Sequence, residues 1–145
     1  MGYPHSIIIY ASHLNGIGGI ETFVVNFCKR MALHAAITFA YDTCDAKTRN
    51  AISAYAKCHK LGAKVLHADT LILATAWGKS PGRRIVAATQ IQMIHADYVA
   101  CITDWDFKYK KDSATTHHVA VSNHVARQFE IATPYKIDKL IYNLL

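Results

Sequence analysis

Ser6-Ile7-Ile8-Ile9-Tyr10-Ala11-Ser12-His13-Leu14-Asn15-Gly16-Ile17-Gly18-Gly19-Ile20-Glu21-Thr22-Phe23 begins the stretch that decides the fold, and the stretch runs on to Leu33. Residues 6–11 form a short apolar run. They are rich in β-branched side chains and too few for a typical helix, so they read as a strand buried on both faces. Residues 12–19 are polar and glycine-rich. Beyond them, apolar side chains fall at Ile20, Phe23, Val24, Phe27, Cys28 and Met31, and these steps of three and four place them on one side of a helix. A strand, a glycine turn and a helix make a place to hold an anion. The first N–H groups of a helix have no partner within it, the helix dipole adds partial positive charge there, and glycine lets a ligand approach the backbone closely.

The alternation continues downstream. Strand-like runs lie at 35–41, 63–67, 71–75, 90–95, 118–121 and 139–142. A turn is expected at 42–45, and a helix at 46–61 with Gly62 as its stop. One or two helical turns are expected within 83–89. Ser122 is placed to cap a helix over 123–131, and 96–116 is the least regular stretch. Strands alternating with helices predict an α/β fold. The expectation is one three-layer, Rossmann-like domain over residues 1–145, with a mostly parallel sheet and helices on both faces. Ligands of such sheets sit at the C-terminal strand ends. The glycine turn, Trp77, His95 and Ser122 all fall along that edge.

The 145 residues are enough for a single core, and 52% hydrophobic against 18% charged residues argues for a globular chain. No apolar run approaches the ~20 residues that span a bilayer, and residues 6–11 lack the basic lead-in of a signal peptide. A cytoplasmic protein is expected. Cys28, Cys44, Cys58 and Cys101 form no C-x-x-C pair and read as free thiols. Sixteen Lys and Arg against ten Asp and Glu give a net charge of +6. That favours anionic partners: sugar nucleotides, phospholipid surfaces or nucleic acid. The basic residues are scattered, apart from Lys79/Arg83/Arg84 and Lys108/Lys110/Lys111.

Gly16-Ile17-Gly18-Gly19-Ile20-Glu21 departs from the dinucleotide fingerprint G-x-G-x-x-G at its last position, where a glutamate cannot give the close helix–strand packing of a glycine. Asp42 could imitate the acidic ribose ligand, although it lies a little far along the chain. A tight turn holding no ligand is the other reading. Glu21 suits a helix start, but its carboxylate would repel an anion unless it faces away or orients neighbouring N–H groups. None of the nine histidines shows a zinc spacing, and His117 and His118 point to opposite sides of a strand. His95 ends a strand at the ligand edge, where it is either structural or part of a site. There is no G-x-S-x-G elbow. The aromatic–lysine alternation from Trp105 to Lys111 suits a membrane surface, a sugar platform, or a solvated loop or edge strand.

Residues 6–10 followed by Asn15-Gly16-Ile17-Gly18-Gly19-Ile20-Glu21-Thr22 resemble the opening of GT-B glycosyltransferases, more narrowly the retaining branch that builds bacterial polysaccharides and glycolipids. Gln92-Met93-Ile94-His95, Val119-Ala120-Val121-Ser122-Asn123-His124-Val125 and Leu140-Ile141-Tyr142-Asn143 fall in the order that family has. The resemblance covers nearly the whole chain. It implies the acceptor-side, N-terminal half of a two-domain hexosyl-type transferase that moves a sugar from a nucleotide-sugar to a polysaccharide, glycolipid or other glycoconjugate. The C-terminal donor domain is expected to be missing from this chain, which alone should be inactive.

The resemblance further implies that Gly18 and Gly19 contact the donor diphosphate, that Glu21 supports the glycine loop, and that His95 sits near the transferred sugar as the catalytic candidate. Gly16, Trp77 and Ser122 join the substrate-binding candidates. No metal, bound cofactor or nucleic acid is implied. A peripheral contact with the inner face of the membrane fits the basic and aromatic residues, and a half standing alone could pair as a homodimer. The alternative is a non-catalytic Rossmann-like module that binds a nucleotide or another anion.

Overall fold

The computed structural model describes residues 5–15 and 18–142. The elements are β1 (Ser6–Leu14), α1 (Gly19–Met31), β2 (Ala36–Cys44), α2 (Ala46–Ser53), β3 (Lys57–Lys60), β4 (Leu66–Leu73), β5 (Ile85–Ile94), α3 (Tyr98–Trp105), β6 (His117–Ala120), α4 (Asn123–Ala132) and β7 (Lys139–Leu140), with a 3₁₀ turn at Gly82–Arg84. The strands form one sheet in the order β3-β2-β1-β4-β5-β6-β7, and every pairing is parallel. This is the Rossmann-like α/β architecture that the sequence predicts.

Register defines two faces. Cys58, Phe39, Ile9, Ile72 and Ile91 lie side by side on one, and His59, Ala40, Tyr10, Leu73, Gln92 and His118 on the other. The chain steps one way from β1 to β3 and the opposite way from β4 to β7. Right-handed crossovers therefore put α1 and α2 on the first face and α3 and α4 on the second. The side chains agree. Phe23, Val24 and Cys28 of α1 and Ile52 of α2 are buried in the core with Ile9 and Phe39. On the second face Phe129 of α4 packs on His118, with ring centroids 5.2 Å apart, and on Tyr98 of α3 at 5.5 Å. Full burial of such side chains is worth about 1.5–3 kcal/mol each. All four cysteines are free, and burial pushes the Cys28 thiol up to about 12.

Five local expectations are corrected. The helix expected over 46–61 stops at Ser53, and Lys57–Lys60 is a strand that closes the open edge of β2. An edge of unpaired backbone groups outweighs the modest helical preference of Ala54-Tyr55-Ala56. Gly62 lies in a crossover, not at a helix end. The strand expected at 63–67 and the helical turns within 83–89 are absorbed by β4 and β5, which start early, at Leu66 and Ile85, and pair from there to Leu73 and Gln92. Asp42 is not in a turn, because β2 runs on to Cys44 alongside the end of β1. Within 96–116 there is a true helix, α3. Asp97 caps it by accepting from the Ala100 N–H at 3.0 Å, and Asp106 ends it in the left-handed conformation, φ 50°.

Two crossovers carry no α-helix: residues 61–65 between β3 and β4, and residues 74–84 between β4 and β5. The middle of the second face therefore has no helix over it.

Candidate functional site

The chain reverses direction across the sheet between β1 and β4, and the C-terminal ends of β1, β4 and β5 open there into a crevice. A cavity of about 300 Å³ is lined by Gly19 and Ile20 of α1, Thr75-Ala76-Trp77 after β4, His95-Ala96 after β5, and Tyr98. The structure thus brings together three candidates that the sequence separates widely: Gly19, Trp77 and His95. An adjoining depression of about 290 Å³ shares Ile20, Thr75 and Trp77 and adds Glu21 and Gly78 to its walls.

His95 points to the first face, where its ring meets the edge of Phe23 at 4.7 Å. The Ala74 backbone carbonyl accepts from the ring. Nε2 is buried without a hydrogen-bond partner, so the bond belongs to Nδ1 and the proton sits there. Burial pushes the pKa down to about 4, against a smaller upward pull from Ala74. At neutral pH the ring is uncharged and offers a bare lone pair at Nε2. Such a group is a weak base but a good acceptor for a ligand hydroxyl. Leaving a buried acceptor unmet costs about 1–3 kcal/mol, which a hydroxyl would recover.

A stability test follows from the sign of that shift. The unfolded histidine takes a proton near its usual 6.5, while the folded one resists until about 4. Stability should therefore be complete above 6.5 and fall by about 3 kcal/mol as the pH drops to 4. Burial shifts His118 in the same direction. Urea denaturation across this range should show the decline, and His95→Asn, which takes no proton, should remove most of it. An unchanged slope in His95→Asn would mean that other groups carry the dependence.

Trp77 stands at the mouth, 44% exposed, stacked on Phe107 with centroids 3.9 Å apart and planes 25° from parallel. Phe107 in turn meets Tyr98 edge-on. The next residue, Gly78, has φ +89°, and a Cβ there would overlap the Ser12 Oγ. The crossover is then fastened down. The Lys79 N–H donates to Ser12 Oγ at 3.3 Å, the Ser80 hydroxyl donates to Asp112, and the Lys79 carbonyl lies 3.1 Å from the Tyr10 hydroxyl.

The glycine turn is seen in part, since Gly16 lies outside the described residues. Gly18 caps α1 with φ −161°, an extended backbone that any residue can adopt, so space and not dihedral freedom makes glycine useful here. A Cβ on Gly18 would stand 2.9 Å from the Glu21 Oε2. Glu21 is the third helical residue and folds back over the helix start, as in a capping box. A carboxylate therefore already stands at the N-terminus of α1. Gly19 has open space above it.

Two sequence candidates are engaged elsewhere. Ser122 accepts from the Val125 N–H at 3.1 Å to cap α4 and is not among the residues lining the crevice. Asp42 is held by Arg84, with Nη1 2.7 Å from Oδ1, and accepts a hydrogen bond from the Tyr10 hydroxyl at 2.6 Å. That commitment removes it as a ribose ligand and weakens the dinucleotide reading further. Sequence reasoning missed Phe107, Tyr98, Thr75 and Gly78. The aromatic alternation at 105–109 held a signal for the first, but it is no single stripe. Trp105 faces solvent, Phe107 supports Trp77, and the Tyr109 hydroxyl meets His118 Nε2 at 2.9 Å.

Among the described residues no three His, Cys, Asp or Glu side chains are grouped to hold a metal ion, and no helix is long and apolar enough to cross a membrane. Comparison with protein families, curated proteins and solved structures finds no match for this chain.

Proposed function

We propose that this chain is the acceptor-side half of a retaining, nucleotide-sugar-dependent glycosyltransferase of the GT-B type. The observation that carries the reading is the meeting of Gly19, Trp77 and His95 in one cavity at the reversal point of the sheet. Each has a task that suits glycosyl transfer. The N-terminus of α1 faces a departing diphosphate, whose developing charge backbone N–H groups can stabilise. The half-exposed face of Trp77 offers a platform for a sugar ring. The neutral His95 accepts at Nε2 from a sugar hydroxyl and so orients the transferred group. With its pKa near 4 it acts by position, not as a general base. The Glu21 carboxylate over Gly18 opposes an anion, so on this reading the cationic partners of the diphosphate stand on a second domain across the cleft.

Titrating the chain with a uridine diphosphate sugar, NAD and inorganic phosphate separates the readings. A weak response to the sugar nucleotide is expected, read by NMR at the Gly19 amide, the Trp77 indole and the His95 ring, and His95→Ala should weaken it about tenfold. Tight binding of NAD, or shifts that avoid these three residues, would overturn the assignment in favour of a nucleotide-binding module of another kind.

A further inference from the structure

The missing helix between β3 and β4 leaves more than a gap. Register puts Ala36 and Thr38 of β2 and Lys57 and His59 of β3 on the second face, near the N-terminal ends of the strands. Where a crossover helix would cover them there is instead a cavity of about 180 Å³. Its floor includes the small Ala36 and Thr38, and Lys57, His59, Lys64 and His67 stand around it. A sheet face prepared for a helix is apolar. This cavity mixes apolar lining from Ile7, Ile8, Leu66 and Ala68 with the hydroxyls of Ser6 and Thr38, and two lysines and two histidines stand at its wall.

No carboxylate is among the described residues lining the cavity. The acid nearest in sequence, Asp69, accepts from the Ser6 N–H at 2.8 Å and from the Ser6 hydroxyl at 3.1 Å, with His5 at 3.9 Å. Two lysines and two histidines therefore line one concavity that has no carboxylate in its wall, Asp69 being held at its edge by Ser6. Positive charge gathered around a concavity raises the local concentration of anions. The cations are lysines rather than arginines. Lysine binds phosphoryl oxygens as a point charge, and a phosphoryl group offers several oxygens and up to two negative charges for the two lysines to share. The Thr38 hydroxyl adds a neutral donor.

We infer that this cavity binds a phosphoryl-bearing anion, either a soluble phosphorylated compound or a phospholipid headgroup. It lies at the opposite end of the strands from His95 and does not depend on the glycosyl-transfer reading. Titration with inorganic pyrophosphate should move the ring signals of His59 and His67. The double variant K57Q/K64Q should weaken binding about tenfold, while K108Q/K111Q should leave it within about twofold. Both lysines of the test pair are exposed, so the far-UV spectrum and melting temperature should stay those of the wild type. A second arm uses phosphatidylglycerol vesicles with phosphatidylcholine vesicles as control. Pyrophosphate binding without vesicle binding identifies a soluble ligand, and vesicle binding abolished by K57Q/K64Q identifies a headgroup. Binding that ignores K57Q/K64Q, or no binding in either arm, overturns the inference.

Discussion

Gly78→Ala is expected to destabilise the protein by about 3 kcal/mol, the largest effect of an added Cβ at any described glycine. Two causes add. The backbone at Gly78 has φ +89°, which an alanine adopts only with strain of about 1–2 kcal/mol. The new Cβ would also overlap the Ser12 hydroxyl oxygen. Ser12 is 2% exposed on β1, and its Oγ is held as the acceptor for the Lys79 N–H, so it cannot step aside without breaking that bond. The two causes can be measured apart. Gly82 has φ +60° with nothing within 4 Å of its missing Cβ, so Gly82→Ala reports the backbone cost alone, about 1 kcal/mol. Adding Ser12→Ala to Gly78→Ala should recover the overlap but not the strain, because the Ser12 Cβ sits at an ordinary 3.4 Å. Urea denaturation gives all three values. Equal losses in Gly78→Ala and Gly82→Ala would show that the contact with Ser12 has no weight. The site should respond too, since Gly78 sets the path of Trp77. Its indole NMR signal should shift as the stack on Phe107 loosens.

This loop shows where sequence reasoning stops. The β1–α1 unit was legible because both of its signals are local: a β-branched run, then apolar residues in steps of three and four. Cys28 falls on the buried face of α1 for the same reason. The sheet class followed from the alternation of such units. What failed depended on neighbours distant in sequence. Lys57–Lys60 is a strand because β2 has an open edge, and no local feature of Ala54-Tyr55-Ala56 announces a break. Helix α3 carried a readable cap in Asp97, but the aromatic alternation that follows it drew attention away. At the site, the topological rule placed Gly19, Trp77 and His95 on one edge. It could not show that His95 leaves Nε2 without a partner, that Phe107 arrives beneath Trp77, or that Glu21 folds back over Gly18. Those facts are matters of ångströms between elements. Asp42 is the sharpest case: at the end of a predicted strand it looks free to meet a ribose, and only the packed fold shows Arg84 and Tyr10 already upon it.

Arg84→Met should therefore lower stability by about 2 kcal/mol, although both partners of the Asp42–Arg84 pair keep some contact with solvent. The pair crosses the part of the second face that has no helix. Arg84 Nη1 and Nη2 reach the two oxygens of Asp42 at 2.7 and 3.4 Å, and its Nε donates to the Pro81 carbonyl at 3.1 Å. The Tyr10 hydroxyl has one proton, and the 2.6 Å distance gives it to Asp42 rather than to the Lys79 carbonyl at 3.1 Å. Burial, reinforced by Asp42, pushes the tyrosine well above its usual range, so it remains a donor at any ordinary pH. Arg84→Lys keeps the charge but loses both the fork and the bond to Pro81, and should recover less than half of the loss. The pH dependence identifies the mechanism. Arg84 first, then Tyr10, holds the Asp42 carboxyl below the usual carboxylate range, against the opposing effect of burial. A depressed folded value gives stability that is complete above the unfolded value near 3.9 and is lost as pH falls through the folded one. The gap between wild type and Arg84→Met should thus be constant from pH 7 to about 5 and narrow at lower pH. Asp42→Asn should cost a similar amount, and the double variant little more than either alone, since the two side chains share one interaction. A gap that persists undiminished into acid, or full additivity in the double variant, would mean that Arg84 acts through packing alone. A gap that closes would identify this ion pair as the fastening that holds the helix-free crossover, and with it Trp77, against the sheet.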